Sequence, residues 1–412
     1  MSNPSGATDI YHQALIDRLC GDELIQSPEI EAAFRSVPRH LFLPDVPVAQ
    51  AYEDRAIPTK FAQGQAISSS SQPAIMAIML EQLNLQPGHR VLEIGAGTGY
   101  NAALMAHIVG ETGQVVTLDI DKDIVAAAQR HLQVAAVDSV QVICADGWLG
   151  WPEAGPYDRI IMTVGGWDIS PAWVQQLKAD GRLLLPLSLN GPQISVAFDR
   201  QNNHLVSQSI APCGFMRLRG PFAEPSHSLS LGPVSQLSLE SVSPLPDDGN
   251  TIYEWLKGPA RQWSTDVQLH PRELWRDLIV WLALQESRLC RLNAQGEAAN
   301  EELVPPLFQQ KEEDIKWQSS VGLWASSGLA MLQWQRPNDG PKMTLLVCGY
   351  GPEPAVAHQL VAAVQSWDEN GRPHVNQWRI MAYPIDEPVT TGDNEIGVPK
   401  RWYQFVLQWR EK

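Results

Sequence analysis

Cysteine and long apolar runs are scarce in this sequence. The 412 residues include five cysteines, widely spaced and without a CxxC pair, which disfavours a disulfide framework and a cysteine zinc site. No apolar run approaches the roughly 18 residues of a membrane-spanning helix. The first residues lack the basic and then apolar pattern of a secretory leader. We therefore expect a cytoplasmic protein with reduced thiols and no membrane span.

Basic residues are also outnumbered. Asp and Glu number 46 against 30 Lys and Arg, a formal net charge of −16 at pH 7. No basic patch stands out that would attract a phosphate backbone, so we expect no nucleic-acid partner. The sequence shows no metal-ligand spacing and no nucleophile paired with a base. Neither a metal site nor a catalytic dyad is predicted.

Short apolar runs alternate with helix-like segments from Arg90 onward. Seven such runs occur, at residues 91–95, 115–120, 140–145, 159–164, 182–187, 193–200 and 204–210. Apolar strands separated by helices are typical of a parallel sheet covered on both faces, and the last two runs predict an antiparallel hairpin. The sequence therefore predicts an α/β fold with a doubly wound, mainly parallel, seven-stranded sheet of the Rossmann-like type.

The composition changes after Gly220. Residues 222–250 are rich in Ser, Pro and Leu without a helical period, which predicts a linker. Residues 251–412 contain eleven of the fifteen tryptophans and mix helix-like with strand-like runs. We predict a first domain over 1–221 built on this sheet, a linker over 222–250 and an additional α+β domain over 251–412.

A glycine-rich stretch, EIGAGTGY (93–100), follows the first of these strands and opens a helix. Its glycines permit a tight turn and close approach of a ligand, although a plain strand-to-helix turn is an alternative and the spacing is not GxGxxG. Asp119 ends the second strand and Asp146-Gly147 follows the third. Carboxyl ends of parallel strands meet at one crevice, where Asp119 could accept ribose hydroxyls and Asp146 an adenine amino group. Taken singly, an Asp at a strand end is more often a helix cap than a ligand.

These residues resemble those of class I S-adenosylmethionine-dependent methyltransferases, and the order of segments is closer still to the protein-L-isoaspartate O-methyltransferase family. The similar segments are VPRHLFLP (37–44), DRAIP (54–58), QGQAIS (63–68), ADGWLGWP (145–152), YDRIIMTVG (157–165) and LKADGRLLLPL (177–187). The resemblance implies S-adenosyl-L-methionine as the cofactor and a peptide or protein bearing an aspartyl or isoaspartyl residue as the substrate. The cofactor-binding residues that it implies are Gln65, Glu93, Gly95, Gly97, Asp119, Asp146 and Gly147.

Four consecutive serines, Ser68–Ser71, precede Gln72-Pro73 and an apolar helix. In the family a serine lies between the methyl donor and the substrate carboxylate. The resemblance implies Ser68 or Ser71 as its counterpart, and counting from Gln65 favours Ser68. Capping of the following helix is the structural alternative, and an anion-holding helix N-terminus is the functional one.

Carboxyl methylation requires few catalytic residues. A side-chain carboxylate has an unperturbed pKa near ~3.9, so it is already ionised at neutral pH and needs no general base. Alignment alone can supply on the order of 7–11 kcal/mol. The resemblance further implies that the next backbone nitrogen attacks the ester, expelling methanol and forming a succinimide.

Three hypotheses for function follow. The first is general repair of isoaspartate. The second is a dedicated enzyme that converts one aspartate of a ribosomally made precursor peptide to an aspartimide. The SSSSQP form (68–73), VGGWDI (164–169) and CGFM (213–216) resemble a bacterial subgroup with a C-terminal extension that is associated with such peptides. The added domain favours this second hypothesis, whereas the core motifs do not distinguish it from the first. The third is a nonenzymatic peptide-binding module that retains the cofactor fold. The added domain is interpreted as a stabilising element or a peptide-capture element, and the oligomeric state is left open.

Overall fold

A computed structural model of the chain describes residues 4–62, 65–233, 236–245, 248–312, 315–335, 342–392 and 394–409. Gln63 and Gly64, part of the QGQAIS segment, lie outside the described residues. The chain forms two compact units. The first comprises the chain up to Leu187, Gln193–Ala223 and Arg379–Arg410; the second comprises Ser188–Pro192 and Glu224–Trp378.

The secondary structure follows the chain in this order. The α-helices are α1 (Pro4–Gly21), α2 (Pro28–Ser36), α3 (Val48–Ala51), α4 (Pro73–Leu83), α5 (Tyr100–Val109), α6 (Lys122–Val134), α7 (Pro171–Gln176), α8 (Gly249–Lys257), α9 (Pro271–Glu273), α10 (Ile279–Gln285), α11 (Glu297–Asn300) and α12 (Ala355–Glu369). Short 3₁₀ turns occupy Arg39–Phe42, Gly147–Leu149, Pro152–Ala154 and Val375–Gln377, and Leu274–Leu278 is π-helical.

The strands are β1 (Ile57–Ala62), β2 (Gln65–Ser70), β3 (Arg90–Ile94), β4 (Gln114–Asp119), β5 (Val140–Cys144), β6 (Tyr157–Met162), β7 (Leu177–Ser188), β8 (Gln193–Gln201), β9 (His204–Cys213), β10 (His227–Ser230), β11 (Leu237–Ser241), β12 (Arg261–Leu269), β13 (Leu289–Gln295), β14 (Phe308–Glu312), β15 (Ile315–Ala325), β16 (Gly328–Gln335), β17 (Met343–Tyr350), β18 (Trp378–Pro384), β19 (Glu395–Pro399) and β20 (Tyr403–Trp409).

The first unit is built on a ten-stranded sheet with the order β19-β20-β18-β9-β8-β7-β6-β3-β4-β5. Strands β5, β4, β3, β6 and β7 are parallel neighbours, whereas β8 and β9 form an antiparallel hairpin. The predicted α/β sheet is thus confirmed, and its seven predicted strands are β3 to β9. β3 is buried from Val91 to Ile94 because helices cover both faces of a parallel sheet.

One apolar core holds the helices against this sheet. Phe34 of α2, Leu80 of α4 and Leu104 of α5 are buried together with Val91 of β3 and Val115 of β4. The helices α4 and α5 are mostly apolar along their lengths, as expected for helices packed between a sheet and other helices. This core fixes the carboxyl ends of β3 and β4, where the glycine-rich stretch begins.

Residues 379–410, which follow the second unit in the chain, belong to the first unit. Met381 and Ala382 of β18 pair with Val206 and Leu205 of β9, and the Ile380 amide donates to Ser207 Oγ at 2.8 Å. The prediction of one C-terminal domain over 251–412 is therefore wrong for residues 379–410. Local sequence patterns identify strands but not partners this distant along the chain, because pairing depends on which sheet edge is left open.

The segment predicted as a linker over 222–250 contains two strands. β10 pairs with β11, and β11 pairs with β13, while Leu231, Leu237 and Leu239 are fully buried. The linker prediction is wrong here. The alternating residues of LSLES (237–241) carry the period-two strand signal, which the abundance of Ser and Pro around them obscures.

The second unit is an α+β structure on an antiparallel sheet of eight strands, ordered β10-β11-β13-β15-β16-β17-β12 with β14 beside β15. α12 contributes Leu360, Val364 and Trp367 to its interior, each fully buried. In neither unit is any described helix long and apolar enough to cross a membrane.

Candidate active site

The turn between β3 and α5 keeps its backbone open to a ligand. Gly95 and Gly97 have φ values of 104° and 51°, a region that favours glycine. A Cβ on Gly97 would lie 3.3 Å from the carbonyl oxygen of Ser69. A side chain here would therefore crowd the strand that carries the serines. The predicted glycine turn and the serine run thus lie against each other.

Glu93, the last acidic residue before this turn, is fully buried with internal partners. Its carboxylate accepts hydrogen bonds from Asn101 Nδ2 at 2.7 Å and from Thr117 Oγ1 at 2.6 Å. Burial raises the pKa of Glu93 to about 7, because an ionised carboxylate loses its hydration. Glu93 therefore joins β3, β4 and the start of α5, which holds the glycine turn in shape.

Asp119 ends β4 beside the same turn. Its Oδ2 accepts from the Gly97 amide at 3.3 Å and its Oδ1 from the Asp121 amide at 3.2 Å. Burial raises the pKa of Asp119. Each carboxylate oxygen offers roughly two acceptor positions, so one on each oxygen is left for a pair of hydroxyl donors. The structure brings Asp119 and Gly97 together as predicted.

Asp146 and Gly147 follow β5 at the same edge of the sheet. Asp146 Oδ1 accepts from the Trp148 amide at 3.0 Å, so Asp146 caps the short 3₁₀ turn. A Cβ on Gly147 would lie 2.3 Å from Ile94 Cγ2. Only glycine lets this turn pack on the end of β3, which brings Asp146 close to the glycine turn.

The serine run lies in a strand. Ser68, Ser69 and Ser70 belong to β2 and pair with Lys60, Pro58 and Ile57 of β1. Ser68 is 8% exposed, and its Oγ accepts from Thr59 Oγ1 at 3.3 Å. Ser71 follows the strand. Gln65 begins β2 opposite Ala62.

The prediction that a serine caps the following helix is wrong. Asp54 takes the capping position: its Oδ1 accepts from the Ala74 amide at 2.8 Å and its Oδ2 from Gln72 Nε2 at 3.1 Å. No serine caps α4. A carboxylate of the protein itself therefore lies at the positive end of the helix dipole. That this helix end also holds a substrate anion stays a prediction. The sequence signal was the DRAIP segment, which contains Asp54.

Arg39, in the VPRHLFLP segment, is a site-supporting residue that sequence reasoning missed. It is fully buried, and its guanidinium donates to five carbonyls. These belong to Ala51, Glu53, Arg55, Ser70 and Ser71. Burial lowers the pKa of Arg39 to about 10. Arg39 therefore ties the end of the serine strand to the loop that precedes β1.

A second missed group joins β1 to the loop after β4. Lys60 Nζ lies 2.9 Å from Asp121 and 2.7 Å from Asp123, and Arg219 Nη2 lies 2.7 Å from Asp121. The hydrogen bond from Arg219 lowers the pKa of Asp121, with Lys60 contributing. The β1–β2 hairpin and the segment around Arg219 thus both reach the side of the crevice next to Asp119.

The predicted residues therefore gather at the carboxyl ends of β3, β4 and β5, with the serine strand across them. Within the described residues no group of three His, Cys, Asp or Glu side chains could hold a metal ion. The arrangement offers acceptors for hydroxyl groups, an open glycine turn and a strand of hydroxyls. Such a site can hold a nucleoside and align a second substrate beside it.

Comparison with known proteins gives a consistent result. Residues 10–220 match the family model for protein-L-isoaspartate(D-aspartate) O-methyltransferase (PCMT). The chain is similar to the protein-L-isoaspartate O-methyltransferase of Thermotoga maritima, with 40% identity over 183 residues, 44% of this chain and 57% of that one. It thus spans little more than half of that relative. The Hyperthermus butylicus protein of the same name is 37% identical over 217 residues, 50% of this chain and 88% of its own.

The fold has a counterpart among solved structures. A structure of a protein-L-isoaspartate O-methyltransferase aligns with a TM-score of 0.50 and 23% identity, over 90% of this chain and 96% of that one. The likeness shows a shared fold. Because it covers most of this chain, it is not confined to residues 10–220.

Proposed function

This chain belongs to the protein-L-isoaspartate(D-aspartate) O-methyltransferase family, and from that membership we propose that it methylates the carboxylate of an isoaspartyl or aspartyl residue in a peptide or protein. The protein is an enzyme, and S-adenosyl-L-methionine is its cofactor. The hypothesis of a nonenzymatic binding module is therefore set aside. The observation that carries the proposal is the contact between the serine strand and the glycine turn, at Ser69 and Gly97.

The proposed cofactor site uses the residues at the strand ends. Asp119 has acceptor positions for the two ribose hydroxyls, and Gly95 and Gly97 leave the backbone accessible. Ile120, 39% exposed, offers apolar surface for the adenine ring. The Asp146 carboxylate would accept a hydrogen bond from the adenine amino group. Glu93 acts through the shape of the turn, because its oxygens are engaged with Asn101 and Thr117. Gln65 and Gly147 complete the proposed set.

The chain's part in the chemistry is alignment. When bound, S-adenosylmethionine supplies a methyl group on a sulfonium sulfur. The substrate carboxylate is ionised at neutral pH, so the protein need only hold one of its oxygens in line with that methyl group. We assign Ser68 to this task, with Ser71 as the alternative. Arg39 and the β1–β2 hairpin keep the serine strand in place.

The fate of the ester is also part of the proposal. The backbone nitrogen of the next residue attacks the ester carbonyl, gives up its proton and expels methoxide, which leaves as methanol. A five-membered succinimide ring remains. This step needs no further group from the protein, because the nucleophile and the carbonyl belong to the same short segment of the substrate.

A synthetic peptide pair tests the proposal. One peptide carries an isoaspartyl residue and the other carries aspartate at the same place, and both are incubated with the protein and S-adenosylmethionine. Mass spectrometry should show a methyl ester and then the succinimide on the isoaspartyl peptide. If neither peptide gains a methyl group while the protein binds S-adenosylhomocysteine, the proposed substrate is wrong.

The second candidate is a dedicated peptide-modifying enzyme. It is favoured by the second unit, an α+β structure of its own that could hold a longer peptide. A third substrate separates the two: an aspartate-containing precursor peptide encoded beside the gene. Conversion of that peptide to a stable aspartimide, with little turnover of the isoaspartyl peptide, would support the dedicated enzyme over general repair.

A further inference from the structure

We propose that Trp402, from the chain that follows the second unit, is a positioning residue for the methyl-donor site. Trp402 belongs to an aromatic cluster within the first unit that lies directly behind Asp146. We call it the Trp148 cluster, and its members are Trp148, Trp167, Trp173, Phe222 and Trp402. The inference rests on the proposed function, since it concerns the same donor site, and it goes beyond it by assigning part of that site to the end of the chain.

Trp148 is the centre of the cluster. Its ring centroid lies 4.3 Å from that of Trp402 and 4.9 Å from that of Phe222, with the Phe222 ring nearly parallel to it at 14°. The ring centroids of Trp148 and Trp173 are 5.3 Å apart. Trp148 is 4% exposed, so these neighbours decide where its ring can sit.

Trp148 is linked to Asp146 by a hydrogen bond from its backbone amide, so the position of Trp148 affects the position of the Asp146 carboxylate. The Trp148 amide donates to Asp146 Oδ1 at 3.0 Å. In the same turn, Trp173 Nε1 donates to the Gly147 carbonyl at 2.8 Å and Ser170 Oγ donates to the Trp148 carbonyl at 2.7 Å. The turn is thus held by these hydrogen bonds and by the packing of Trp148 against Phe222 and Trp402.

Trp402 is itself held by a buried carboxylate. Its amide donates to Asp168 Oδ2 at 2.8 Å, and the Ile169 amide donates to Asp168 Oδ1 at 2.8 Å. Asp168 is fully buried, a costly place for a carboxylate. The cost is offset by two amide donors, one of which comes from Trp402. The Arg401 guanidinium lies 4.5 Å from the Trp402 ring centroid, which adds a cation–π contact.

The remaining support, Phe222, is connected to the donor side of the crevice. Trp167 Nε1 donates to the Phe222 carbonyl at 2.9 Å, and Trp167 in turn packs on Trp402 with ring centroids 5.8 Å apart. A Cβ on Gly220 would lie 3.1 Å from Ile120 Cδ1 and 3.8 Å from Asp146 Oδ2. The backbone just before Phe222 therefore passes beside both residues proposed to meet the adenine.

Trp402 is half-buried, so removing its ring uncovers one face of Trp148 and lets the Asp146 turn move. Affinity for the methyl donor should fall, whereas the serine strand, supported by Arg39, should be unaffected. Donor and peptide affinities therefore separate in kinetics. If Trp402 only stabilised the fold, its removal would lower the apparent affinities for the donor and for the peptide together, through loss of folded protein.

The test compares Trp402→Ala and Trp402→Phe with Phe405→Leu in the full chain. Phe405 lies three residues further along the chain, in β20, but packs on Phe198, with 6.5 Å between the ring centroids. Calorimetry with S-adenosylhomocysteine, at a temperature where all variants are folded by circular dichroism, should give a Kd about tenfold higher for Trp402→Ala. Trp402→Phe should recover most of the affinity, and Phe405→Leu should bind as the wild type does while melting at a lower temperature. The KM for the peptide should not change in any variant.

Two results would overturn the inference. In one, Trp402→Ala binds S-adenosylhomocysteine as tightly as the wild type; in the other, Phe405→Leu weakens binding as much as Trp402→Ala. Failure of the proposed function is distinguishable, because it would appear in the wild type, as absence of S-adenosylhomocysteine binding or absence of peptide methylation.

Discussion

At the scale of single residues, the site consists of carboxylates in three different environments. Glu93 is fully buried and hydrogen-bonded internally, Asp119 is half-buried with acceptor positions left over, and Asp54 caps a helix. The same functional group therefore shapes a turn, offers a ligand contact or caps the start of a helix, depending on which donors surround it. Each role predicts a different response to substitution.

Asp119→Ala should weaken binding of the methyl donor. The ribose hydroxyls would lose paired acceptors in a partly buried site, at a cost of ~1–3 kcal/mol. Calorimetry with S-adenosylhomocysteine measures this loss directly. Asp138→Ala, which removes an exposed carboxylate before β5, is the control for charge. Unchanged affinity in Asp119→Ala would remove this residue from the site.

Glu93→Gln should change how stability depends on pH. Burial raises the folded-state pKa of Glu93 from 4.5 to about 7. The folded protein therefore binds the proton more tightly than the unfolded chain does. The resulting contribution to the free energy of unfolding is fully present below pH 4.5 and is lost as the pH rises towards 7. The wild type should lose up to ~1.4 kcal/mol per pH unit relative to Glu93→Gln across that window. Glutamine can still accept from Asn101 and donate to Thr117, and its amide does not titrate in this pH range.

Urea unfolding at pH 5, 6, 7 and 8 measures this difference. All other titrating groups are common to the two proteins, and their contributions cancel in the comparison. Parallel stability profiles for the two proteins would show that Glu93 is ionised throughout.

At the scale of elements, the β1–β2 hairpin decides where the serines sit. Arg39 holds the end of β2 through the Ser70 and Ser71 carbonyls, and Lys60 on β1 reaches Asp121 beside the cofactor crevice. The hairpin is therefore held at the end of β2 and from within β1. Ser68 lies inside the strand, whereas Ser71 lies beyond it.

Ser68→Ala should lower kcat more than it raises the Kd for the donor, because the proposed hydroxyl orients the substrate carboxylate. Ser71→Ala is its matched control. Single-turnover rates and S-adenosylhomocysteine binding separate the two effects. If Ser71→Ala is the damaging change, the alignment of the serine run is shifted by three positions; if both variants turn over normally, neither hydroxyl aligns the substrate.

Asp54→Ala tests the cap of α4. Loss of a side-chain cap costs about 1 kcal/mol, so the midpoint of urea unfolding should fall in Asp54→Ala and stay near the wild-type value in Ser71→Ala. The reverse order would restore a serine as the cap. Asp54→Asn should lie between, since asparagine still offers one acceptor to the Ala74 amide.

At the scale of the whole molecule, the second unit is inserted into the first. Residues 224–378 stand between β9 and β18, which are neighbours in one sheet. A chain that ends near Pro221 would lack β18, β19 and β20 and would expose the edge of β9, together with the apolar positions that Ile380, Phe405 and Leu407 cover. Such a chain is expected to aggregate, so it cannot separate the roles of the two units.

Replacing residues 224–378 with a short flexible linker, while keeping the chain from Arg379 onward, is the appropriate separation. If the second unit captures substrate, this protein should methylate a short isoaspartyl peptide with an unchanged KM but show a raised KM for a full-length protein substrate. Steady-state kinetics on both substrates measure the difference. Equal KM values for the full-length substrate, with and without the second unit, would refute the capture role.

The sequence by itself determined the features that depend on neighbours along the chain. The seven strands, the glycine turn of Gly95 and Gly97, and the acidic strand ends were all predicted, because strand–turn–helix units follow from local hydrophobic period and glycine position. The family resemblance added the identity of the cofactor.

The tertiary structure decided what depends on distant parts of the chain. It placed the serines in a strand over Gly97, gave the cap of α4 to Asp54, buried Arg39 under the serine strand, and brought Trp402 to Trp148. It also returned β18, β19 and β20 to the first sheet. In each case the side chain or strand finds its partner through folding, and the energy of that contact depends on burial, which no local pattern contains.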